Sequence, residues 1–176
     1  MRNRRTSFTI SGGGGPVAKI EFKGMEEYEN RLLELRNLTK EMLGEAIHDG
    51  AGIVADAIKS GIQSIPVDET YATGGTKLYG ITSEQKQGLI DGFGIARMQD
   101  DNGYLNVKLG FSGNNSVQTK RYPGGQPNSV IARSVNSGSS FRQRIPFIDN
   151  AVNSSKSAAE QKMKEKIDKA IGEVMN

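Results

Sequence analysis

Apolar and polar positions alternate from Leu89 to Phe111 on both sides of Asp101-Asn102-Gly103, the only place where period-two patterning is sustained across a turn. Asn and Gly accept the positive φ angles of tight hairpins, so a β-hairpin is predicted here. A two-residue and a four-residue loop both put Gly92, Gly94, Ala96 and Met98 on one face with Leu105, Val107, Leu109 and Phe111. Small residues facing large ones leave room for another element, most naturally a helix. The four-residue loop is preferred, because the two-residue one sets Arg97 directly against Lys108. This hairpin is expected to be the centre of the sheet.

Elsewhere the period lengthens. After a short alternating strand at Val17 to Phe22, an apolar stripe of Tyr28, Leu32, Leu35, Leu38, Met42 and Ala46 recurs every three or four residues. It resumes at Ile53, Val54, Ala57, Ile58 and Ile62 and stops before Pro66. Gly44, Gly50 and Gly52 weaken the pattern, so one long bent helix and two helices hinged near Asp49–Gly52 both fit. Thr82 or Ser83 can cap a short helical turn through Gln87. Ser129 to Val135 alternates and is expected to return a strand to the sheet, with a Ser/Gly turn at Asn136 to Ser140. Pro146 opens a long amphipathic C-terminal helix with the stripe Ile148, Val152, Ala159, Met163, Ile167, Ala170 and Val174. Glu160–Lys164 and Glu165–Lys169 can pair on its outer face, each for only ~0.3–0.5 kcal/mol.

The expected fold is therefore α+β: an antiparallel sheet built around a central hairpin, packed against a long N-terminal helix or helix pair and a long C-terminal helix. Residues 1–16 combine Arg2, Arg4 and Arg5 with Gly12 to Gly15 and read as a flexible basic arm, from which Phe8 to Ile10 can become a strand on docking. Residues 17–176 read as a single domain.

Composition changes this picture in two ways. Glycine, at 22 of 176 residues, is well above the usual ~7% and points to many loops around a modest core. Charge is unevenly spread: Glu21 to Thr70 holds eleven acids and five bases, whereas Ser112 to Ile148 holds five bases and no acid. An acidic helical region and a basic loop region can pair within one subunit or between neighbours. There is no cysteine, which excludes disulfides and thiolate metal sites. No apolar run reaches the ~18 residues of a membrane span, and no apolar segment follows the first arginines as in a signal peptide. Synthesis in the cytoplasm is the expectation, with no membrane partner.

Candidate chemistry is sparse. Gly12 to Gly15 lacks a following Gly-Lys-Ser/Thr, and Gly74-Gly75-Thr76-Lys77 only superficially matches a phosphate loop. His48 is the only histidine and Asp49 points about 100° away from it on a helix, so a solvated surface residue is expected. No carboxylates stand at a spacing that demands acid–base work, so no catalytic, metal or cofactor site is expected and the chain does not read as an enzyme.

Two blocks resemble a known family. The first runs from Ile81-Thr82-Ser83-Glu84-Gln85-Lys86-Gln87-Gly88-Leu89 through Asp91-Gly92-Phe93-Gly94-Ile95-Ala96 and Asp101-Asn102-Gly103-Tyr104 to Val107-Lys108-Leu109-Gly110-Phe111. The second is Ile131-Ala132-Arg133-Ser134-Val135-Asn136-Ser137-Gly138-Ser139-Ser140 followed by Pro146-Phe147-Ile148. Together they are similar to the tail-completion, or head–tail joining, proteins of tailed bacteriophages, over about Ala18 to Ala170. The resemblance implies a non-enzymatic virion protein of the tail or neck. Such proteins form a ring, usually a hexamer, at the capsid-proximal end of the tail. The implied partners are further copies of the chain, head–tail connector or stopper proteins, tail terminator or tail tube proteins, and genomic DNA passing through the lumen.

Candidate contacts to neighbouring subunits or partners are Arg2, Arg4, Arg5, Lys120, Arg121, Tyr122, Arg133, Phe141, Arg142 and Arg144. The alternative reading is a small basic nucleic-acid-binding protein in which Tyr122 and Phe141 stack on bases beside the cations. Against it, the net charge is only +3 and no recognised DNA-binding motif is present.

Overall fold

A computed structural model describes the backbone of residues 25–70 and 76–175 and the side chains of residues 39–70 and 76–172. The expected strands at Phe8 to Ile10 and Val17 to Phe22, and the arm before them, lie outside the described residues. The chain divides into two compact units, Met1–Leu38 and Thr39–Asn176. In the first, residues 25–38 are helical. The second holds every other element.

The fold is α+β: among the described residues there are four helices and two small antiparallel ladders, with a long N-terminal and a long C-terminal helix packed together. Helix α1 (Met25–Ser64) is continuous, so none of its glycines hinges it. In the second unit its buried face is Ala46, Ala51, Ala55, Ile58 and Ile62. Gly50 is used for close approach, since a β-carbon there would stand 2.7 Å from Met163 Cγ of the C-terminal helix. The outer edge of this contact is closed by Lys166, which bonds Glu45 at 3.0 Å and approaches Asp49 at 3.9 Å.

Helix α2 (Ser83–Gly92) is longer than the turn predicted to Gln87. Thr82 caps it in a full capping box: its hydroxyl accepts from the Gln85 N–H, and the Gln85 side chain accepts from the Thr82 N–H. Leu89, expected to begin the hairpin, is instead wholly buried in this helix.

The hairpin is present but built differently at its two ends. At the base, β1 (Phe93–Ile95) pairs with a last strand (Leu109–Phe111) so that Phe93 faces Phe111 and Gly94 faces Gly110. At the tip, β2 (Gln99–Asp101) pairs with β3 (Tyr104–Asn106), and Asp101 faces Tyr104; the last strand is β4. The turn is therefore a two-residue one, with Asn102 at φ 57° and Gly103 at φ 92°, not the four-residue loop. Base and tip differ in register by one residue, which leaves three residues (Ala96 to Met98) opposite two (Val107 and Lys108). The extra residue acts as a β-bulge and lets Lys108 accept from Ala96 rather than face Arg97. It also corrects the predicted faces. Leu105, Val107, Leu109 and Phe111 do share the inner side with Met98, but the inner partners at the base are Phe93 and Ile95. Gly94 and Ala96 are exposed.

No third strand joins either ladder among the described residues. The strand expected at Ser129 to Val135 is helix α3 (Asn128–Ser137). Its buried residues, Asn128, Ile131, Ala132 and Val135, follow the i, i+3, i+4, i+7 spacing of a helix face, and Pro127 precedes it. Gly138, at φ 74°, ends it and opens the expected turn.

Helix α4 (Phe147–Met175) starts directly after Pro146. Asn136 of α3 supplies its cap, accepting from the Ile148 and Asp149 N–H groups. The buried line is Phe147, Ala151, Ser155 and Ala159, so the first turns are rotated from the predicted stripe and Val152 is 40% exposed. Among the described residues Glu160 pairs with Lys156, at 3.9 Å, instead of the predicted Lys164, and Glu165 accepts from the Gln161 amide at 3.0 Å.

The core joins all of these: Ile58, Ile62 and Ile65, then Ile81, Leu89 and Phe93, then Ile131, Val135 and Phe147. Burying each such side chain stabilises the fold by about 1.5–3 kcal/mol. Phe111 bridges Phe93 and Phe147, with ring centroids 5.0 and 6.3 Å apart.

Candidate functional site

The acid-free segment, residues 112–148, holds a loop, helix α3 and the connection into α4. Residues 112–127 are a long loop tied down at its ends: Asn114 bridges Pro127, the Asn115 N–H donates to the Gln126 carbonyl, and the buried Asn128 amide donates to the Ser112 carbonyl. Its tip is a tight turn in which Thr119 and Tyr122 exchange backbone hydrogen bonds at 3.1 and 3.0 Å. Lys120 and Arg121 project from that turn, and the Arg121 guanidinium lies over the Tyr122 ring at 5.6 Å. Neither makes an ion pair among the described residues, nor does the exposed Arg133 on α3.

The remaining candidates divide. Arg144 is bound inside the subunit, to the Asn136 carbonyl and to Asp149 at 2.9 Å. Phe141 is half exposed. Arg142, expected as a surface contact, is only 3% exposed. Its Nη2 reaches Gln85 Oε1 at 3.5 Å, while Nε and Nη1 find no hydrogen-bond partner among the described residues. Burial pushes its pKa down, opposed by the charge of Asp68. Arg2, Arg4 and Arg5 lie outside the described residues.

The acidic α1 and the basic 112–148 segment do not pair within the subunit among the described residues. Within the second unit the acids of α1 meet α4 through Lys166, and Lys40 pairs with Asp100 of the hairpin. The bases at the 119–122 turn are therefore left facing outward.

Two carboxylates that composition did not single out tie residues 68–70 to Tyr79 and Ser83. Asp68 accepts from the Thr70 hydroxyl and N–H and from the Tyr79 N–H, which hold its pKa below the ordinary value. Glu69 accepts from the Ser83 hydroxyl and N–H, at 2.6 and 2.8 Å, with the same effect. Only the spacing Asp-x-Thr hinted at the first; the second links residues fourteen apart and leaves no local signal. His48 is exposed, as expected.

No group of three or more potential metal-ligating side chains occurs among the described residues. No described helix is long and apolar enough to cross a membrane. One open groove, of about 310 Å³, runs along the outer side of the hairpin base. Comparison with known proteins finds no matching family model, no matching curated protein and no matching solved structure.

Proposed function

We propose that this chain is a virion structural protein, a ring-forming subunit of the tail-completion or head–tail joining type at the capsid-proximal end of a phage tail. It works without catalysis, through its shape and charge. The observation that carries this reading is the origin of the core. Ile81, Leu89, Phe93 and Phe111 come from one block of the family resemblance, and Ile131, Ala132, Val135 and Phe147 from the other; all meet in one cluster. A resemblance spread over two separated segments thus coincides with one folding unit. Lys120 and Arg121, which make no ion pair among the described residues, supply a basic surface for an acidic neighbour, and heterologous contacts close into rings when the rotation allows. In this reading the neighbours are connector, stopper, terminator or tube proteins, and DNA passes through the lumen of a hexamer.

Light scattering and negative-stain microscopy of the purified full chain test this directly. Closed rings with a central opening are expected; a monomer at every concentration sinks the proposal. A variant lacking residues 1–15 should keep the circular dichroism of the parent and join heads to tails poorly. Wild-type joining by that variant would remove the arm from the contact set.

One feature favours the second reading, a small nucleic-acid-binding protein: the arginine stacked on tyrosine at the 119–122 turn. Affinity for DNA that falls steeply with salt would select it, because a lumen must let DNA slide.

A further inference from the structure

Among the described residues, nothing covers the outer side of the hairpin base. Counting by twos, Gly92, Gly94 and Ala96 line one edge of its groove, and Lys108, Gly110 and Ser112 the other. A β-carbon added at Gly94 or Gly110 would meet nothing within 4 Å, so the floor is bare backbone open to an incoming side chain. Lys108 is exposed at its rim and makes no ion pair among the described residues.

The tip of the same hairpin carries the matching shape. Tyr104 is 82% exposed, the most exposed of the large hydrophobic side chains in the described residues. Asp101 stands directly across from it in the β2–β3 register, so phenol and carboxylate project on the same side. An aromatic ring beside a negative charge thus faces outward at one end of the hairpin. A groove with a positive charge at its rim lies at the other end. Because both belong to one hairpin, one copy cannot satisfy itself.

We infer that the hairpin tip of one copy docks in the hairpin-base groove of the next, with Tyr104 over Gly94 and Gly110 and Asp101 against Lys108. The occupant is a second copy of this chain, and the contact is heterologous, with knob and groove at different places on each subunit. This inference rests on the ring reading above and specifies which surfaces make the ring.

The test is a charge exchange in the full chain. Lys108→Glu and Asp101→Lys, each alone, should raise the concentration for half-assembly by about tenfold or more, since each sets like charges together. Mixing the two variants should restore assembly, because alternating copies then present opposite charges at every contact. Gly94→Val should block the groove by bulk alone; it enters open space on a strand, so circular dichroism and thermal unfolding should stay at the parental values. Tyr104→Ala should weaken assembly in the same way. Rings that are indifferent to all four substitutions overturn the inference and leave the ring reading standing. Single variants that fail but are not rescued by mixing also overturn it, placing another occupant in the groove. A monomeric parent chain sinks both.

Discussion

Gly88 of α2 lies against the amide of Asn128 of α3: a β-carbon added at Gly88 would stand 2.6 Å from Asn128 Oδ1 and 2.5 Å from Asn115 Cβ. The helix backbone itself therefore packs on the two buried asparagines that anchor the 112–127 loop. Alanine normally gains ~1 kcal/mol over glycine inside a helix. Here overlap outweighs that gain, and Gly88→Ala is expected to destabilise by ~1–3 kcal/mol. Gly52→Ala in α1, where the added carbon meets nothing within 4 Å, should instead stabilise by up to ~1 kcal/mol. Urea denaturation of the pair gives opposite signs if the packing is as described.

The capping box at Thr82 is a second site where one atom matters. Thr82→Ala removes the acceptor for the Gln85 N–H and should cost ~0.5–2 kcal/mol, whereas Thr82→Ser should retain most of it. Gln85 is itself buried and bonded to Gln126, so loss of the cap should also loosen the 112–127 loop. Hydrogen exchange at residues 112–127 reports that coupling.

Acid should weaken the fold through Asp68, Glu69 and Asp149. Asp149 is held low by the Asn136 side-chain amide first and Arg144 second. All three carboxylates have folded pKa values below their unfolded ones, so their contribution is complete above the unfolded values. It fades as pH falls past 3.8 for the aspartates and 4.5 for the glutamate, and is gone below the folded values. The double variant Asp68→Asn, Glu69→Gln should flatten the lower end of a curve of Tm against pH. An unchanged curve would show that the hydrogen bonds of Asp68 and Glu69 do not stabilise the fold.

Arg142 leads to a less intuitive result. A buried cation with two unpartnered donors is costly, and an apolar side chain of similar length avoids that cost. Arg142→Met is expected to leave stability unchanged or raise it by ~1–2 kcal/mol. A loss of several kcal/mol in urea titration would show that the guanidinium is better satisfied than its geometry indicates.

Much of the fold was legible where the apolar period was long. Helix α1 runs through its glycines because Ala46 to Ile62 keep one face in the core, which outweighs a propensity cost of ~1 kcal/mol per glycine. Shorter windows misled. Ser129 to Val135 satisfies both an alternating and a helical template, and burial of Asn128, invisible to hydrophobic counting, decides for the helix. In α4 the buried line passes through Ser155, whose hydroxyl donates to the Ala151 carbonyl at 2.7 Å, so an apolar stripe drawn without serine falls on the wrong side. The candidate surface was legible only in part. Charge counting found Lys120, Arg121 and Arg133, but it could not distinguish them from Arg142, because burial depends on the Leu78–Arg142 bridge between distant segments.

The extra residue between Ala96 and Met98 has a developmental meaning for the hairpin. Every position of the first arm beyond it has the opposite parity from every position before it. A one-codon deletion there would set two residues opposite two and merge base and tip into one regular ladder, with Asp101 still across from Tyr104 and Phe93 and Ile95 in place. A lineage can thus straighten or kink this arm in a single mutational step, keeping both the chemistry displayed at its far end and the interior from which it springs.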